Sequence, residues 1–109
     1  LAWYQLSDVA HKVVGVGTCS GRKVDKFAKF GLTPRPAEIV GAPLIDECYA
    51  SLECKVVDTR LMNRYNFFVL EVVKAWVDPK AKAPRTLHHR GGGHFMVAGK
   101  TLRTTSRIK

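Results

Sequence analysis

The segment from His88 to His94 contains the residue types with the widest chemical range in this sequence. It holds three histidines, Arg90 and the three consecutive glycines of residues 91–93. The histidines could ligate a metal ion, but no Asp or Glu lies nearby, and adjacent histidines on an extended strand point to opposite faces. A metal site is therefore not predicted. The glycines would let backbone N–H groups approach an anion, with Arg90 donating to phosphate oxygens. A flexible loop with basic side chains is the equally favoured alternative.

Other short motifs exclude familiar enzyme classes. Gly15 and Gly17 match two positions of a dinucleotide-binding loop, but the third glycine and a preceding strand are absent, which excludes a Rossmann fold. Cys19 and Ser20 lack a positioned histidine and carboxylate, so neither is predicted to be a hydrolase nucleophile. The three cysteines are an odd number without a Cys-x-x-Cys pair. This argues against a disulfide framework or structural zinc and favours a reducing, cytoplasmic location.

The size and composition of the chain fit one small domain over residues 1–109. Hydrophobic residues make up 46% of the sequence and charged residues 25%, which excludes a disordered tail. No apolar run approaches the roughly 20 residues that would span a bilayer. Residues 1–6 lack the basic and apolar regions of a signal peptide, and the sequence is expected to begin within a longer protein.

The net charge of +9 is unevenly distributed along the chain. Residues 1–78 hold ten Lys and Arg against nine Asp and Glu, whereas residues 79–109 hold eight Lys and Arg and no acid. A basic segment of this kind attracts nucleic acid, an anionic surface or a phosphorylated small molecule. Electrostatics alone does not choose among these partners, and nucleic acid is the least favoured of them.

The first third of the chain has the pattern of two short helices. Ser7 is suited to N-cap a helix that runs through Val14 and stops at the glycines that follow. Residues 24–30 form a second amphipathic helix, which Gly31 closes. Two prolines then force an extended path, followed by a short edge strand over residues 37–42 and a return to the core at Leu44.

Residues 50–77 have the pattern of two long strands that form a hairpin. Leu52, Cys54 and Val56 alternate with polar residues, which predicts that Cys54 is buried. The return strand is expected over residues 65–77, apolar on both faces, with Asn63 in a left-handed turn conformation between the strands. After a polar loop, residues 95–98 are predicted to form a short strand and residues 101–103 a tail strand.

Several of these segments, in this order, resemble flavin reductase-like, FMN-binding split-barrel proteins. The resemblance is carried by Cys19-Ser20-Gly21-Arg22, Asp25-Lys26-Phe27, Phe30-Gly31-Leu32 and the hairpin, and it runs from about Lys12 to Gly99. It extends to the flavin reductase components of two-component monooxygenases, including the nitrilotriacetate monooxygenase component B type. It implies a mainly β fold, an antiparallel Greek-key split barrel of six strands with short helices. The family's strands upstream of Lys12 have no counterpart here, so only the C-terminal part of the barrel is expected.

The resemblance also implies an activity. Members bind FMN, or alternatively FAD, usually as homodimers, and pass a hydride from NADH or NADPH to the flavin, which then serves a partner monooxygenase. By position, Lys26 is the first candidate for contacting FMN. The other candidates implied by position are Ser20, Arg22, Tyr65, Asn66, Phe95, His94 and His89. Two alternatives remain open, a flavin-binding or flavin-carrier protein without reductase turnover and a basic nucleic-acid-binding module.

Overall fold

The structure is a computed structural model that describes residues 6–105. Within these residues it has six strands and three short helices. The elements are α1 (Leu6–Thr18), α2 (Lys26–Phe30), β1 (Pro34–Arg35), β2 (Leu44–Ile45), β3 (Ala50–Asp58), α3 (Met62–Tyr65), β4 (Val69–Val77), β5 (Leu87–Gly91) and β6 (His94–Val97). The strands pair in sequence order as three antiparallel two-stranded sheets, β1–β2, β3–β4 and β5–β6. The predicted mainly β architecture with short helices is confirmed.

The first helix is longer than the sequence pattern predicted. Helix α1 begins at Leu6, so Ser7 lies inside it, and it continues through Gly15 and Gly17 to Thr18. The prediction that these glycines end the helix is therefore wrong, and Gly15 instead has a packing role. A Cβ added at Gly15 would lie 2.3 Å from the ring of Phe30, so only glycine fits beneath that ring.

Helix α2 forms as predicted, and its ends are capped by side chain and backbone. Asp25 is the N-cap residue, and its carboxylate accepts hydrogen bonds from the N–H groups of Phe27 and Ala28 at 3.0 and 3.2 Å. Gly31 is the C-cap in a left-handed conformation with φ of 62°. A left-handed residue at a helix end favours glycine, which has no Cβ penalty.

Strands β1 and β2 form a short antiparallel pair that includes Leu44. Pro34 pairs with Ile45 and Arg35 with Leu44, and the Glu47 carboxylate accepts hydrogen bonds from both the N–H and the hydroxyl of Thr33. Leu44 is 7% exposed and is the buried apolar side chain among the described residues. Its predicted return to the core is confirmed.

Residues 37–42, predicted as an edge strand, form a bent loop between β1 and β2 instead. The N–H groups of Glu38, Ile39 and Val40 all donate to the carboxylate of Glu53 rather than to a neighbouring strand. Successive N–H groups that converge on one anion require a bent backbone, which a flat strand does not offer. We call residues 38–40 the carboxylate-binding loop.

The long hairpin of β3 and β4 is confirmed, but the connection between its strands differs from the prediction. The return strand begins at Val69, because residues 62–65 form α3. The left-handed residue is Asn66, with φ of 50°, rather than Asn63. Helix α3 ends on Asn66, whose N–H donates to the Met62 carbonyl at 2.8 Å.

The two faces of the hairpin are reversed relative to the sequence prediction. Leu52, Val56, Leu70 and Val72 share one face through the cross-strand pairs Leu52–Ala75, Cys54–Val72 and Val56–Leu70. This face is open, with each of those four side chains more than half exposed, and Cys54 is only half-buried. The opposite face carries the pairs Ser51–Trp76, Glu53–Lys74 and Lys55–Glu71, and it packs against the carboxylate-binding loop.

Glu53 is fully buried, and its carboxylate collects four hydrogen bonds. The N–H groups of the carboxylate-binding loop donate at 3.1, 2.7 and 3.0 Å, and the indole N–H of Trp76 donates at 2.7 Å. Lys74, opposite Glu53 on β4, forms an ion pair with the side chain of Glu38. The loop is thus attached to both strands of the hairpin.

Burial disfavours a charged carboxylate and acts to raise the pKa of Glu53. The hydrogen bonds from the Ile39 N–H, the Trp76 indole and the other loop N–H groups act in the opposite direction and prevail, so the pKa falls from 4.5 to about 2. A carboxylate that accepts several N–H hydrogen bonds remains ionised well below its usual range. Glu53 is therefore an anion in the folded protein at neutral pH.

The glycine-rich segment folds as a hairpin. Leu87 pairs with Val97, His89 with Phe95, and Gly91 with His94. Gly92 and Gly93 form the turn, both with positive φ, as a tight turn of primed type requires. The predicted strand at residues 95–98 is confirmed as β6, whereas the predicted tail strand at residues 101–103 is wrong, since that segment has no regular structure. No helix among the described residues is long and apolar enough to cross a membrane.

We expect Glu53→Gln to destabilise the fold, since an amide places an N–H group against the donors of the loop. The melting temperature at neutral pH should fall by roughly 5–10 °C. Because the folded-state pKa is lowered, the stabilisation by Glu53 is present above pH 4.5 and is lost as the pH falls toward 2. Thermal unfolding at stepped pH should show the difference between wild type and variant shrinking over that window.

The matched control for this experiment is Glu71→Gln, which removes an exposed carboxylate from the same face of the hairpin. It should change the melting temperature little. Equal effects of the two substitutions, or a Glu53→Gln difference that does not depend on pH, would contradict the role given to Glu53.

Candidate flavin site

The turn before α2 brings Ser20 and Arg22 together. The Ser20 carbonyl accepts hydrogen bonds from the N–H groups of Lys23 and Val24, both at 3.1 Å. The Ser20 hydroxyl accepts from the Arg22 N–H at 3.3 Å. Both side chains are exposed. The hydroxyl hydrogen of Ser20 and the guanidinium of Arg22 can therefore reach a ligand from this turn.

Lys26 lies beside this turn, but its ammonium group points toward α1. Its Nζ donates to the Val16 carbonyl at 2.7 Å, and its side chain is half-buried. Its Cε lies 3.7 Å from the position that a Cβ on Gly21 would occupy, so the side chain runs along the Ser20–Val24 turn. Lys26 thus donates to a carbonyl in the last turn of α1 that has no partner within the helix, and a cation there also interacts favourably with the helix dipole.

Helix α1 makes the corresponding contact with the end of α2. Lys12 Nζ donates to the carbonyl of Gly31, the C-cap residue of α2, at 3.1 Å. Each helix therefore supplies a lysine to the C-terminal end of the other. Together with the ring of Phe30 against Gly15, this reciprocal pair of lysines fixes the position of Lys26 relative to the Ser20–Val24 turn.

Tyr65 and Asn66 lie at the end of α3. Tyr65 is 62% exposed, and the guanidinium of Arg64 lies 5.5 Å from the centre of its ring. Asn66 holds the left-handed conformation that ends the helix. These two residues are available for polar contacts with a ligand. Their described contacts are with Arg64 and Met62, which lie in the same connection between β3 and β4.

His89 and Phe95 face each other across β5 and β6, with ring centres 5.0 Å apart and planes tilted by 41°. His94 lies at the turn, where its Nδ1 is 3.3 Å from the Gly91 carbonyl oxygen. Among the described residues, no group of three His, Cys, Asp or Glu side chains is arranged to hold a metal ion.

The eight predicted residues thus form three local sets, and no described hydrogen bond or ring contact joins one set to another. The sets are Ser20, Arg22 and Lys26; Tyr65 and Asn66; and His89, His94 and Phe95. A cleft of about 440 Å³ lies elsewhere, at the end of the β3–β4 hairpin, where it is lined by Trp76, Tyr49 and the ion pair of Arg35 with Asp46. None of the eight predicted residues lines this cleft.

Sequence reasoning missed Glu53 and the role of Lys12. The signal for Glu53 was a single acid between Leu52 and Cys54 in a strand otherwise suited to a core, since a lone acid there needs donors. The pairing of Lys12 with Gly31 left no signal in the local pattern, because the two residues are 19 positions apart.

Comparison with known proteins identifies the family. The model of the flavin reductase like domain matches residues 6–100, so the chain belongs to that family, as the motifs predicted. It is 34% identical over 99 residues to the uncharacterised protein YddH of Escherichia coli K12, covering 80% of this chain and 52% of that protein. An uncharacterised protein of Archaeoglobus fulgidus is 40% identical over 57 residues, covering 52% of this chain and 32% of that protein.

A solved structure supports the fold. The chain superposes with a TM-score of 0.76 and 24% identity on the FMN-binding domain of a flavin reductases-like enzyme from Shewanella baltica OS155. The match covers 88% of this chain and 59% of that one. The chain spans about half the length, or less, of the curated relatives it matches.

The contact of Phe30 with Gly15 gives a test with its control in the same helix. Gly15→Ala places a methyl group into the ring, and we expect a loss of about 1–2 kcal/mol in the free energy of unfolding. Gly17→Ala meets nothing within 4 Å and should stabilise by up to about 1 kcal/mol through helix propensity. Denaturant unfolding followed by circular dichroism measures both. If both substitutions changed the free energy of unfolding in the same direction, the proposed packing of α1 on α2 would be contradicted.

Proposed function

We propose that this chain is the flavin-binding part of an NAD(P)H:flavin oxidoreductase, active in the cytoplasm as a homodimer, that supplies reduced flavin to a partner monooxygenase. The observation that carries the proposal is the family match over residues 6–100. The FMN bound by the Shewanella baltica domain supports FMN as the cofactor here, with FAD as the alternative.

The Ser20–Lys26 set suits the anionic part of a flavin mononucleotide. The Ser20 hydroxyl, the Arg22 guanidinium and the Lys26 ammonium are all donors, and charge-assisted hydrogen bonds to phosphate are the stronger kind. An ammonium group has three N–H donors, and the Val16 carbonyl accepts from one of them. Lys26 can therefore serve the helix end and an anionic ligand together.

The other two sets would serve the flavin ring. Tyr65 and Asn66 offer polar contacts, while Phe95, His89 and His94 offer aromatic surface and ring nitrogens. When bound, FMN supplies the electron acceptor, since a hydride from NADH or NADPH together with a proton from solvent yields reduced flavin and NAD(P)⁺. The protein residues bind and orient, and no protein nucleophile is required.

The proposal predicts a flavin absorption spectrum after FMN is added to the purified protein. Addition of NADH or NADPH without oxygen should then bleach the flavin bands, with one dinucleotide oxidised per flavin. Binding of FMN without bleaching would support a flavin carrier instead. No binding with excess FMN would refute the proposal, and salt-sensitive binding of an oligonucleotide would then support the nucleic-acid alternative.

The reciprocal lysines separate a direct role of Lys26 from a structural one. Each of Lys26→Ala and Lys12→Ala removes one lysine from a helix end, so both should lower stability. Only Lys26→Ala should also weaken FMN binding, by roughly tenfold for one lost charge-assisted contact. Fluorescence titration of FMN measures the affinity. An equal loss of FMN affinity in both variants would mean that the role of Lys26 is purely structural.

A further inference from the structure

One face of the β3–β4 hairpin is an uninterrupted apolar surface. Four cross-strand pairs form it, and none of these four pairs contains a charged residue. The charged pairs Glu53–Lys74 and Lys55–Glu71 belong to the opposite face. We call the apolar surface the open face. Its members are Ala50, Leu52, Cys54 and Val56 of β3 and Val77, Ala75, Val72 and Leu70 of β4.

The larger side chains of the open face are exposed to solvent. Leu52 is 60% exposed, Val56 55%, Leu70 and Val72 52% each, and Val77 67%. Together they present on the order of 500 Å² of apolar surface, a size of patch that often marks an interaction site on a soluble protein. A hairpin of two strands is also marginally stable unless another layer packs on its apolar side. The open face therefore requires a partner.

The chemistry of the open face indicates which partner it fits. Nucleic acid, an anionic membrane or an acidic protein would be bound by Lys and Arg side chains, and the four pairs of the open face contain neither. An uncharged strip of Leu and Val is matched best by a second uncharged apolar strip. Because each chain carries a net charge of +9, two copies repel each other wherever their charged surfaces meet. The open face is a surface through which they can approach.

The dimensions of the open face also suit a second copy. Two sheets that pack face to face lie about 10 Å apart, with their side chains interdigitated. Two open faces packed in this way would bury on the order of 1,000 Å², which is the lower limit for a specific interface. The opposite face of the hairpin cannot offer this contact, because the carboxylate-binding loop already packs on it.

We propose that the open face is the contact surface between two copies of this chain, related by a two-fold axis. The proposal rests on the proposed function for the homodimeric state and names the surface that forms it. A two-fold contact uses the same patch on both copies, and the axis passes through the centre of that patch. The two central pairs are Leu52–Ala75 and Cys54–Val72. Leu52 therefore lies close to the same residue of the second copy.

Sedimentation velocity of the purified chain without flavin, over a series of concentrations, measures this self-association. The wild type should form dimers. Leu52→Glu and Leu52→Lys each place like charges near one another across the axis, so each should weaken self-association by roughly tenfold or more. An equimolar mixture of the two variants should recover the dimer, because opposite charges then meet.

The matched control is Leu61→Glu. Leu61 is 48% exposed, but it lies in the connection after β3 and outside the open face. This variant should associate as the wild type does. A second measurement needs no variant: the melting temperature of the wild type should rise with protein concentration, as mass action requires when the dimer is more stable than the separate chains.

A wild type that stays monomeric at the highest concentration would overturn the proposal and leave the open face to a different partner. A melting temperature independent of concentration would also overturn it. The same would follow from dimers that persist in both Leu52 variants, from an equal loss in Leu61→Glu, or from no recovery in the mixture.

Titration of the same samples with FMN separates this proposal from the flavin reductase function. A monomer that binds FMN would overturn the assignment of the interface alone. A dimer that forms through the open face and binds no FMN would support the interface and refute the flavin reductase function.

Discussion

The arrangement of the central part of this protein depends on one buried carboxylate. Glu53 has four donors, three from the backbone of residues 38–40 and one from Trp76. A buried charge is tolerated only when such donors replace its water. The carboxylate therefore holds the carboxylate-binding loop to the hairpin, and the loop cannot form a strand because its N–H groups are already engaged. It also determines which face of the hairpin is covered.

This constraint explains where the sequence prediction succeeded and where it failed. The hairpin, α2 with its cap at Gly31, and the family all follow from local patterns of residues and were predictable. The face of the hairpin was not, because alternation shows that two faces differ but not which one is covered. Two register shifts, after Glu53 and after Val56, further change the cross-strand partners. The apolar side chains of Leu52 and Val56 are consequently exposed, and the most buried of the described residues is an acid, Glu53.

The candidate site was predictable only in part for a related reason. The Ser20–Lys26 set is contiguous in sequence, and the structure brings its members together. The position of the Lys26 ammonium, however, depends on α1 continuing through Gly15. The local sequence pattern predicts a helix end at that pair of glycines. The local pattern could not show that the ring of Phe30, 15 positions away, packs against Gly15 and requires glycine there.

The separation of the charges links the fold to the proposed chemistry. Cations that bind helix carbonyls or pair with carboxylates are held in place and contribute to stability, so their removal lowers the free energy of unfolding. Cations that the fold leaves without counter-charge contribute little to stability and maintain a positive potential toward solvent. Lys26 belongs to the first group and still has donors to spare, whereas Arg85 and Arg90 belong to the second. Substitution of Arg85 or Arg90 should therefore change the free energy of unfolding less than substitution of Lys26.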